Sequence, residues 1–229
     1  MNDSNRKLLL LFDIDGTLIR IKNNIIRRVI TDALISCGVE IPSINRERFA
    51  GRTDRDIFLS LPGVTPEMFS SVRQQYELLI EDRLSSDDIE VLPGVHAALS
   101  YFQQCGYSLG LITGNCQNAA YCKLREAGLN HYFQTGAFGD DHTDRNLLPA
   151  LARKAAGAHF GRRFLPDQTV IIGDTPNDIR CAQFDKSRII AVSTGTYSYS
   201  ELQRHKPDLL LSSLEDPESW FDAFQRNRA

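Results

Sequence analysis

The sequence lacks the features by which secreted, membrane-spanning and zinc-binding proteins are usually recognised. Its five cysteines are scattered, odd in number and without a Cys-x-x-Cys pair, which indicates free thiols in a reducing compartment. The first apolar run, Leu8-Leu9-Leu10-Leu11-Phe12, is too short for a signal peptide, and no other run is long enough to cross a bilayer. A cytoplasmic protein without membrane contact is therefore predicted.

An excess of basic charge is missing as well. The 229 residues carry 26 basic and 29 acidic side chains, and this net charge of −3 does not favour a nucleic-acid partner. The chain contains no internal repeat or low-complexity segment. Its length suits one large domain, or one domain with an insertion, and its 42% hydrophobic content is ordinary for a globular protein.

The most informative stretch is the apolar run and the two acids that end it. The run predicts a strand buried on both faces, and Asp13-Ile14-Asp15-Gly16-Thr17-Leu18 follows directly. Side chains two residues apart on a strand point the same way, so Asp13 and Asp15 are expected to face one site. Paired carboxylates repel unless a cation or proton holds them, and such oxygen ligands suit Mg²⁺. The same composition is also typical of a plain turn, so the motif alone leaves both interpretations open.

The rest of the chain reads as a helical insertion followed by alternating strands and helices. Three helical stretches without a strand signal are predicted between residues 20 and 92, as an inserted α-helical cap. Strands are predicted at 108–112, 169–172 and 189–192, with weaker signals at 133–138 and 209–211. We therefore predict an α/β fold with a Rossmann-like, mainly parallel sheet and helices on both faces. Residues 1–19 and 93–229 would form this core, and the cap would cover the carboxyl ends of its strands.

Polar groups follow two more of these strands. Thr113-Gly114-Asn115 offers a hydroxyl, a flexible backbone and a predicted helix N-terminus with Asn115 as N-cap, which is an anion-binding arrangement in type. A cap and a turn glycine explain the same residues without any ligand. Asp174 and Asp178 place a second pair of acids after a later strand, although Asp178 also suits the first turn of a helix on its own.

A cation lies between these motifs in the sequence. Arg145 follows the weak strand signal and precedes a predicted helix, where it would neutralise a nucleophilic carboxylate and a phosphoryl group. The alternative is a solvated loop arginine, which is the commoner situation. Acids that bind Mg²⁺ beside anion donors and a cation suit phosphoryl transfer, in which positioning and charge stabilisation carry the catalysis.

At these residues the sequence resembles the haloacid dehalogenase superfamily, and in particular its phosphoglycolate-phosphatase-like hydrolases with a helical cap after the first strand. Residues 13–18 match the first motif, 111–115 the second and 173–178 the fourth. The resemblance implies that Asp13 is the nucleophile that forms an aspartyl-phosphate. It implies that Asp15 protonates the leaving alcohol and then activates water. It also implies a first strand that lies centrally between the second and the fourth.

The resemblance further implies a metal site and a phosphate site. Mg²⁺ would be held by Asp13, the backbone carbonyl of Asp15 and Asp174, with Asp178 helping directly or through water. The phosphoryl oxygens would be bound by one hydroxyl and two backbone amides, those of Thr113, Gly114 and Asn115.

The third motif departs from the family pattern. It usually supplies a lysine, and the sequence has none between Lys123 and Lys154. Arg145 lies at a suitable interval and is predicted to take the role, with Lys154 as the fallback, although Arg and Lys are not equivalent. In the cap, Gly51-Arg52-Thr53-Asp54 resembles a loop that faces the active site in phosphoglycolate-phosphatase-like members. Arg52 and Thr53 are therefore predicted to bind substrate, against the alternative of a surface arginine that caps the helix locally.

The predicted function is Mg²⁺-dependent hydrolysis of a phosphomonoester, on a small phosphorylated metabolite, through an aspartyl-phosphate. A sugar phosphomutase similar to β-phosphoglucomutase is the second interpretation, and a non-catalytic phospho-acceptor or binding scaffold is the third. Dehalogenation is disfavoured because that chemistry would not require Asp15 or a Mg²⁺ site. Phosphonate cleavage is disfavoured because it would want a cap lysine, and Lys22, the only lysine of the cap segment, lies near the hinge.

Overall fold

The computed structural model describes residues 8–39 and 49–226, so that residues 1–7, 40–48 and 227–229 of the predicted core and cap lie outside it. Within the described residues the strands are β1 (Leu9–Phe12), β2 (Ile19–Ile21), β3 (Ile89–Val91), β4 (Ser108–Ile112), β5 (Gly136–Ala137), β6 (Thr169–Gly173), β7 (Arg188–Val192) and β8 (Leu209–Leu211).

Six of these strands form one parallel sheet in the order β5-β4-β1-β6-β7-β8. The predicted mainly parallel α/β fold is thereby confirmed. β1 lies between β4 and β6, as the resemblance implied, because Leu9–Phe12 pairs with residues 108–111 on one side and 169–172 on the other. The carboxyl ends of these three strands therefore lie side by side at one edge of the sheet.

Nine helices occur in the described part of the chain, and none of them is both long and apolar enough to span a bilayer. They are α1 (Ile25–Ser36), α2 (Asp54–Ser60), α3 (Phe69–Arg83), α4 (Val95–Gln104), α5 (Gln117–Glu126), α6 (Leu148–Phe160), α7 (Pro176–Asp185), α8 (Tyr199–Gln203) and α9 (Pro217–Arg226). Short 3₁₀ turns lie at Ser86–Asp88, Asn130–Tyr132, Arg145–Leu147 and Pro166–Gln168.

The side chains of β1 are buried on both faces of the sheet, as its unbroken apolar run predicts. Leu10 and Phe12 pack into a cluster with α4, α5 and α9, whereas Leu9 and Leu11 pack into a second cluster with α6, α7 and α8. Burial of each such side chain stabilises the fold by about 2 kcal/mol. The central strand is thus fixed from both sides, and the loop that follows it starts from a rigid base.

The segment between β1 and β4 contains a ribbon that the sequence analysis missed. β2 and β3 pair in antiparallel fashion, with Ile19 opposite Val91 and Ile21 opposite Ile89. Three-residue strands are too short to show a period-two pattern, and their partners are distant in sequence. α1, α2 and α3 lie between the two strands. The predicted boundary between residues 19 and 20 falls inside β2, and the division into core and cap stays a prediction.

Candidate active site

Three acidic side chains meet at the carboxyl ends of the central strands. Asp13 follows β1 and Asp174 follows β6, while Asp178 lies in the first turn of α7. All three are buried, and one carboxylate oxygen from each lies within 4.8 Å of the others. Asp178 also caps its own helix, because its Oδ2 accepts from the Thr175 amide at 3.0 Å and the Thr175 hydroxyl at 2.6 Å. The structural interpretation of Asp178 as a capping acid therefore holds, and its part in metal binding stays a prediction.

Arg145 is the cation of this acid cluster. Its Nη2 donates to Asp13 Oδ1 at 2.8 Å and to Asp178 Oδ1 at 2.6 Å, and its side chain is only 7% exposed. It is therefore not a solvated loop arginine. Lys154, the fallback, is exposed on α6. The structure thus brings Arg145 rather than Lys154 to the acids.

The acid cluster carries more negative charge than Arg145 balances. Burial raises the pKa of Asp13 to about 7 despite the opposing charge of Arg145. Burial, with the nearby charges of Asp13 and Asp178, also raises the pKa of Asp174 well above its ordinary value. Three ionised acids around one guanidinium leave two negative charges in excess, which a divalent cation with oxygen ligands would neutralise. The donor set therefore fits the predicted Mg²⁺.

The wall behind Asp174 is made of two close-lying glycines. A Cβ on Gly16 would lie 2.3 Å from Asp174 Oδ2, and one on Gly195 would lie 1.7 Å from the same atom. Gly16 also has a φ of +91°, which L side chains rarely adopt. The first-motif glycine therefore both makes the turn after Asp15 and leaves room for the buried acid.

The carboxylate of Asp15 lies outside the group of three acids and has its own partners. It accepts from Asn115 Nδ2 at 2.6 Å and from Lys123 Nζ at 2.7 and 2.8 Å. Asn115 Nδ2 also donates to the Thr113 hydroxyl at 2.8 Å, so that these side chains form one network beside β4. The Asp15 side chain is therefore not among the three acids that could share one metal ion, and the metal contact of its backbone carbonyl stays a prediction.

The prediction that Asn115 caps the following helix is wrong. α5 begins at Gln117 with Cys116 as its N-cap, because the Asn115 side chain is taken up by the polar network beside β4. The amides of Cys116 and Gln117 instead donate to two carboxylates from other segments, Asp54 Oδ2 at 2.8 Å and Asp140 Oδ1 at 3.0 Å. The helix is thus capped by acids that are distant in sequence, one of them from the cap segment.

The predicted cap loop lies against the second motif. The Asp54 amide donates to the Gly114 carbonyl at 2.6 Å, and the Thr53 hydroxyl donates to the Thr143 carbonyl at 3.0 Å. A Cβ on Gly114 would lie 2.0 Å from the Arg52 carbonyl oxygen, so only glycine permits this approach. Thr53 also caps α2 by accepting from the Asp56 amide at 3.2 Å. The loop therefore joins the inserted segment to the second motif through its backbone.

The guanidinium of Arg52 is engaged within its own segment. Its Nε donates to Asp56 Oδ2 at 2.6 Å, and its Nη2 donates to the Ser60 hydroxyl at 3.0 Å. The residue nevertheless lines an open cleft of about 390 Å³ together with Thr53, Asn146, Asn177 and Arg180. Direct substrate binding by Arg52 and Thr53 therefore stays a prediction. The cleft beside them is the place at which a substrate would bind.

Comparison with known protein families agrees with the motifs and with the fold. The family model described as haloacid dehalogenase-like hydrolase matches residues 10–192, which is most of the chain and includes all three motifs. The chain belongs to the haloacid dehalogenase-like hydrolase family. The resemblance inferred from the motifs is thereby confirmed.

The relatives of this haloacid dehalogenase-like hydrolase carry phosphatase names. Phosphoglycolate phosphatase of Nitrosococcus oceani is 30% identical over 122 residues, which cover 53% of this chain and 53%, about half, of that protein. Pyrophosphatase PpaX of Oceanobacillus iheyensis is 22% identical over 90% of this chain and 93% of its own. A predicted phosphatase from Clostridium acetobutylicum shares the fold with a TM-score of 0.71, at 20% identity over 94% of this chain and 98% of its own. An enzyme of the phosphatase type, as predicted from the sequence, is confirmed.

Sequence reasoning missed Lys123, whose ammonium group contacts Asp15. Its side chain is 3% exposed on α5, on the buried face that also carries Ala119 and Ala120. The signal was available, because a lysine at spacing i+3 and i+4 from buried alanines occupies a core position of a helix that follows the second motif. Asp54 was missed as well, since nothing in its local sequence indicates that it caps a distant helix.

The hydrolase should become more stable at neutral pH when Asp54 loses its charge. Burial raises the pKa of Asp54 to about 6, against the Lys123 charge and the Cys116 amide. The folded state thus binds this proton more tightly than the unfolded state, so ionisation of Asp54 lowers the free energy of unfolding as the pH rises from about 4 to 6. Asp54→Asn keeps an acceptor for the Cys116 amide and should raise that free energy at pH 7.5 by up to about 3 kcal/mol. The gain should vanish at pH 4.

Urea unfolding of both proteins at pH 4 and pH 7.5 measures this difference. Asp56→Asn is the matched control, because Asp56 is an acid of the same helix whose side chain is 41% exposed. Its effect should not grow between the two pH values. An Asp54→Asn effect of equal size at pH 4 and pH 7.5 would contradict the prediction.

Proposed function

We propose that this chain is a Mg²⁺-dependent phosphatase that hydrolyses a small-molecule phosphomonoester through an aspartyl-phosphate. The observation that carries the proposal is the acid cluster of Asp13, Asp174 and Asp178 around Arg145, at the carboxyl ends of the central strands. Mg²⁺ bound by these acids and the Asp15 carbonyl would neutralise charge and act as a Lewis acid on the phosphoryl group.

Asp13 is the proposed nucleophile. Its carboxylate oxygen forms a bond to phosphorus while the bond from phosphorus to the leaving oxygen breaks, and Asp15 gives its proton to that oxygen. A water molecule then attacks the phosphorus, Asp15 takes a proton from it, and the bond to Asp13 breaks to release phosphate. Asp15 suits both steps because its carboxyl group lies outside the acid cluster and is 40% exposed.

The second motif is proposed to bind the phosphoryl oxygens. The Thr113 hydroxyl accepts from the Asn115 amide at 3.2 Å and from its Nδ2 at 2.8 Å, so its own proton is directed elsewhere. Among the described residues the buried Nε of Arg145 has no hydrogen-bond partner. A buried donor without a partner is costly, and a bound phosphoryl oxygen would satisfy it. Gly114 supplies a neighbouring amide, and the Asn115 amide, which donates to the Thr113 hydroxyl, would have to give up that contact to bind a phosphoryl oxygen.

The proposed substrate is a small phosphorylated metabolite in the cytoplasm. The five cysteines are all unpaired thiols, which agrees with a reducing compartment. Arg52 is proposed to contact the part of the substrate that leaves, in the cleft between the cap loop and the turn at Arg145, whereas contact with the buried Thr53 would need its hydroxyl to leave the Thr143 carbonyl. The names of the relatives make 2-phosphoglycolate and pyrophosphate the first compounds to test.

Phosphate release from a panel of small phosphomonoesters and pyrophosphate should require Mg²⁺. We expect turnover of at least one compound with Mg²⁺, loss to the background rate with a chelator, and recovery when Mg²⁺ is added in excess. The reason is that a divalent cation would hold the buried acids in their ionised form, against the burial that raises the pKa of Asp13 and Asp174, and so keep Asp13 a nucleophile. Metal-independent turnover would contradict the proposal. A single labelling of Asp13 without turnover would indicate a phospho-acceptor scaffold, and transfer between positions of a sugar phosphate would indicate a mutase.

A further inference from the structure

Lys123 is buried far more deeply than a lysine usually is. Its side chain is 3% exposed, and its ammonium group contacts Asp15 Oδ1 at 2.8 Å, Asp15 Oδ2 at 2.7 Å and Asn115 Oδ1 at 2.5 Å. These three contacts use the three N–H donors of the group. Burial of a charged group on this scale persists only where it is paired.

Stability alone does not account for a lysine at this position. Lys123 lies on the buried face of α5 with Ala119 and Ala120, where an apolar side chain would pack without a desolvation cost. Buried ion pairs are often no more stabilising than hydrophobic residues of similar volume. The main effect of the lysine is therefore on Asp15, the acid that its ammonium group contacts.

The contacts of Lys123 fix the orientation of the Asp15 carboxyl group. Lys123 contacts both of its oxygens, and Asn115 Nδ2 donates to one of them at 2.6 Å. The Asp15 side chain is still 40% exposed, so a substrate can reach it from the solvent side while Lys123 and Asn115 hold it from the protein side. A proton donor must lie within about 3 Å of the atom that it protonates, and a displacement of about 1 Å can cost about 10²-fold in rate.

We propose that Lys123 is a positioning residue for proton transfer by Asp15, an inference that rests on the proposed function. Lys123 holds the carboxyl group where its proton reaches the leaving oxygen. In the first step the bond from Asp13 to phosphorus forms, the bond from phosphorus to the leaving oxygen breaks, and the Asp15 proton passes to that oxygen. Lys123 stays protonated throughout and exchanges nothing with the substrate.

The proposal makes the effect of Lys123 depend on the leaving group. An alkoxide needs a proton as it leaves, whereas p-nitrophenolate is stable enough to leave without one. Lys123→Met, which keeps the length of the side chain, should lower kcat/KM for an alkyl phosphate by about 10²-fold. The same variant should lower kcat/KM for p-nitrophenyl phosphate by less than about 10-fold. This ratio is the readout, because kcat/KM reports the steps up to release of the leaving group.

Four variants make the comparison specific. Lys123→Arg keeps the charge and the donors and should restore most of the alkyl phosphate activity. Lys154→Met removes an exposed lysine on α6 and should leave kcat/KM unchanged for both substrates. Asp15→Asn should show the same selective loss as Lys123→Met. The double variant Asp15→Asn/Lys123→Met should lose little more alkyl phosphate activity than Asp15→Asn alone, because both substitutions impair the same proton transfer.

Each outcome decides the inference. Equal losses for both substrates in Lys123→Met, or independent losses in the double variant, would assign Lys123 a structural role and overturn the proposal. If Lys123→Met fails to fold, Lys123→Gln, which also removes the charge, supplies the same ratio. Wild-type protein that releases phosphate from neither substrate would overturn the proposed function together with this inference. Active wild-type protein without leaving-group selectivity in the variants would overturn this inference alone.

Discussion

Asp13→Asn should lower the rate of phosphate release by about 10⁴-fold or more and leave the fold intact. The amide is a poor nucleophile, so the bond to phosphorus does not form and no covalent intermediate accumulates. The carbonyl oxygen of the amide can still accept from Arg145, which contacts Asp13 Oδ1 at 2.8 Å. The largest change in activity should therefore come with little change in structure.

The metal-free variant should be at least as stable as the wild type at pH 8. Burial raises the pKa of Asp13 to about 7, so its ionisation lowers the free energy of unfolding as the pH rises from about 4 to 7. The neutral amide removes that loss. A thermal melt in chelator at pH 8 shows whether the loss of activity comes from loss of the fold. The variant should have a midpoint equal to or higher than that of the wild type.

Rapid acid quenching with a labelled substrate checks the nucleophile directly. Wild-type protein should carry an acid-stable label on Asp13 during turnover, and the variant should carry none. Asp167→Asn, which alters an exposed acid before β6, is the matched control and should behave as wild type. Intact-mass measurement shows that the new amide has not deamidated. A variant that keeps its rate within about 10-fold would remove Asp13 as the nucleophile.

Arg145→Met should lower both activity and stability. The guanidinium joins Asp13 and Asp178 inside the acid cluster, and without it three buried acids have no cation in the metal-free protein. Loss of a stabilising cation at the phosphoryl group should lower kcat/KM by about 10²- to 10³-fold. Removing one partner of a buried ion pair should lower the free energy of unfolding by about 3 kcal/mol at pH 8. Mg²⁺ and lower pH should each reduce the stability loss.

Arg153→Met is the control for the loss of a buried arginine. Arg153 lies on α6 with 12% of its side chain exposed, and its partners, Asp185 at 2.7 Å from Nη2 and Ser187, lie outside the acid cluster. It should lose stability and keep kcat/KM. Arg145→Lys keeps the charge and should recover part of the activity, because a point charge does not reproduce the planar guanidinium. Equal kcat/KM losses at 145 and 153 would mean that Arg145 acts only through the fold.

The parts of the fold that were predictable are those encoded over short distances along the chain. The apolar run before Asp13 and the β-branched run before Asp174 identify strands, and acids directly after them identify the edge where the site lies. These groups meet because parallel strands end on the same side of a sheet. Local sequence thus predicted the acid cluster and the position of Arg145 against it.

The parts that were not predictable depend on partners far away in the chain. Asn115 is of a residue type that often caps helices, yet its side chain donates a hydrogen bond to Asp15. The first amide of the helix region, that of Cys116, donates to Asp54 instead. Local propensity cannot reveal such a substitution of partners. Lys123 was overlooked for a different reason, because a lysine within a helix reads as a solvent-facing residue unless its position on the buried face is checked first.

The ribbon of β2 and β3 holds the two ends of the inserted segment next to each other. The chain leaves and re-enters the core through adjacent residues, since Ile21 pairs with Ile89 and the Lys22 amide bonds the Asp88 carbonyl at 2.7 Å. A loop whose two ends are held side by side can be shortened, lengthened or replaced without moving the strands that hold the acids. If the insert determines which substrate the proposed phosphatase site accepts, its replacement should change the substrate and leave the acid cluster in place.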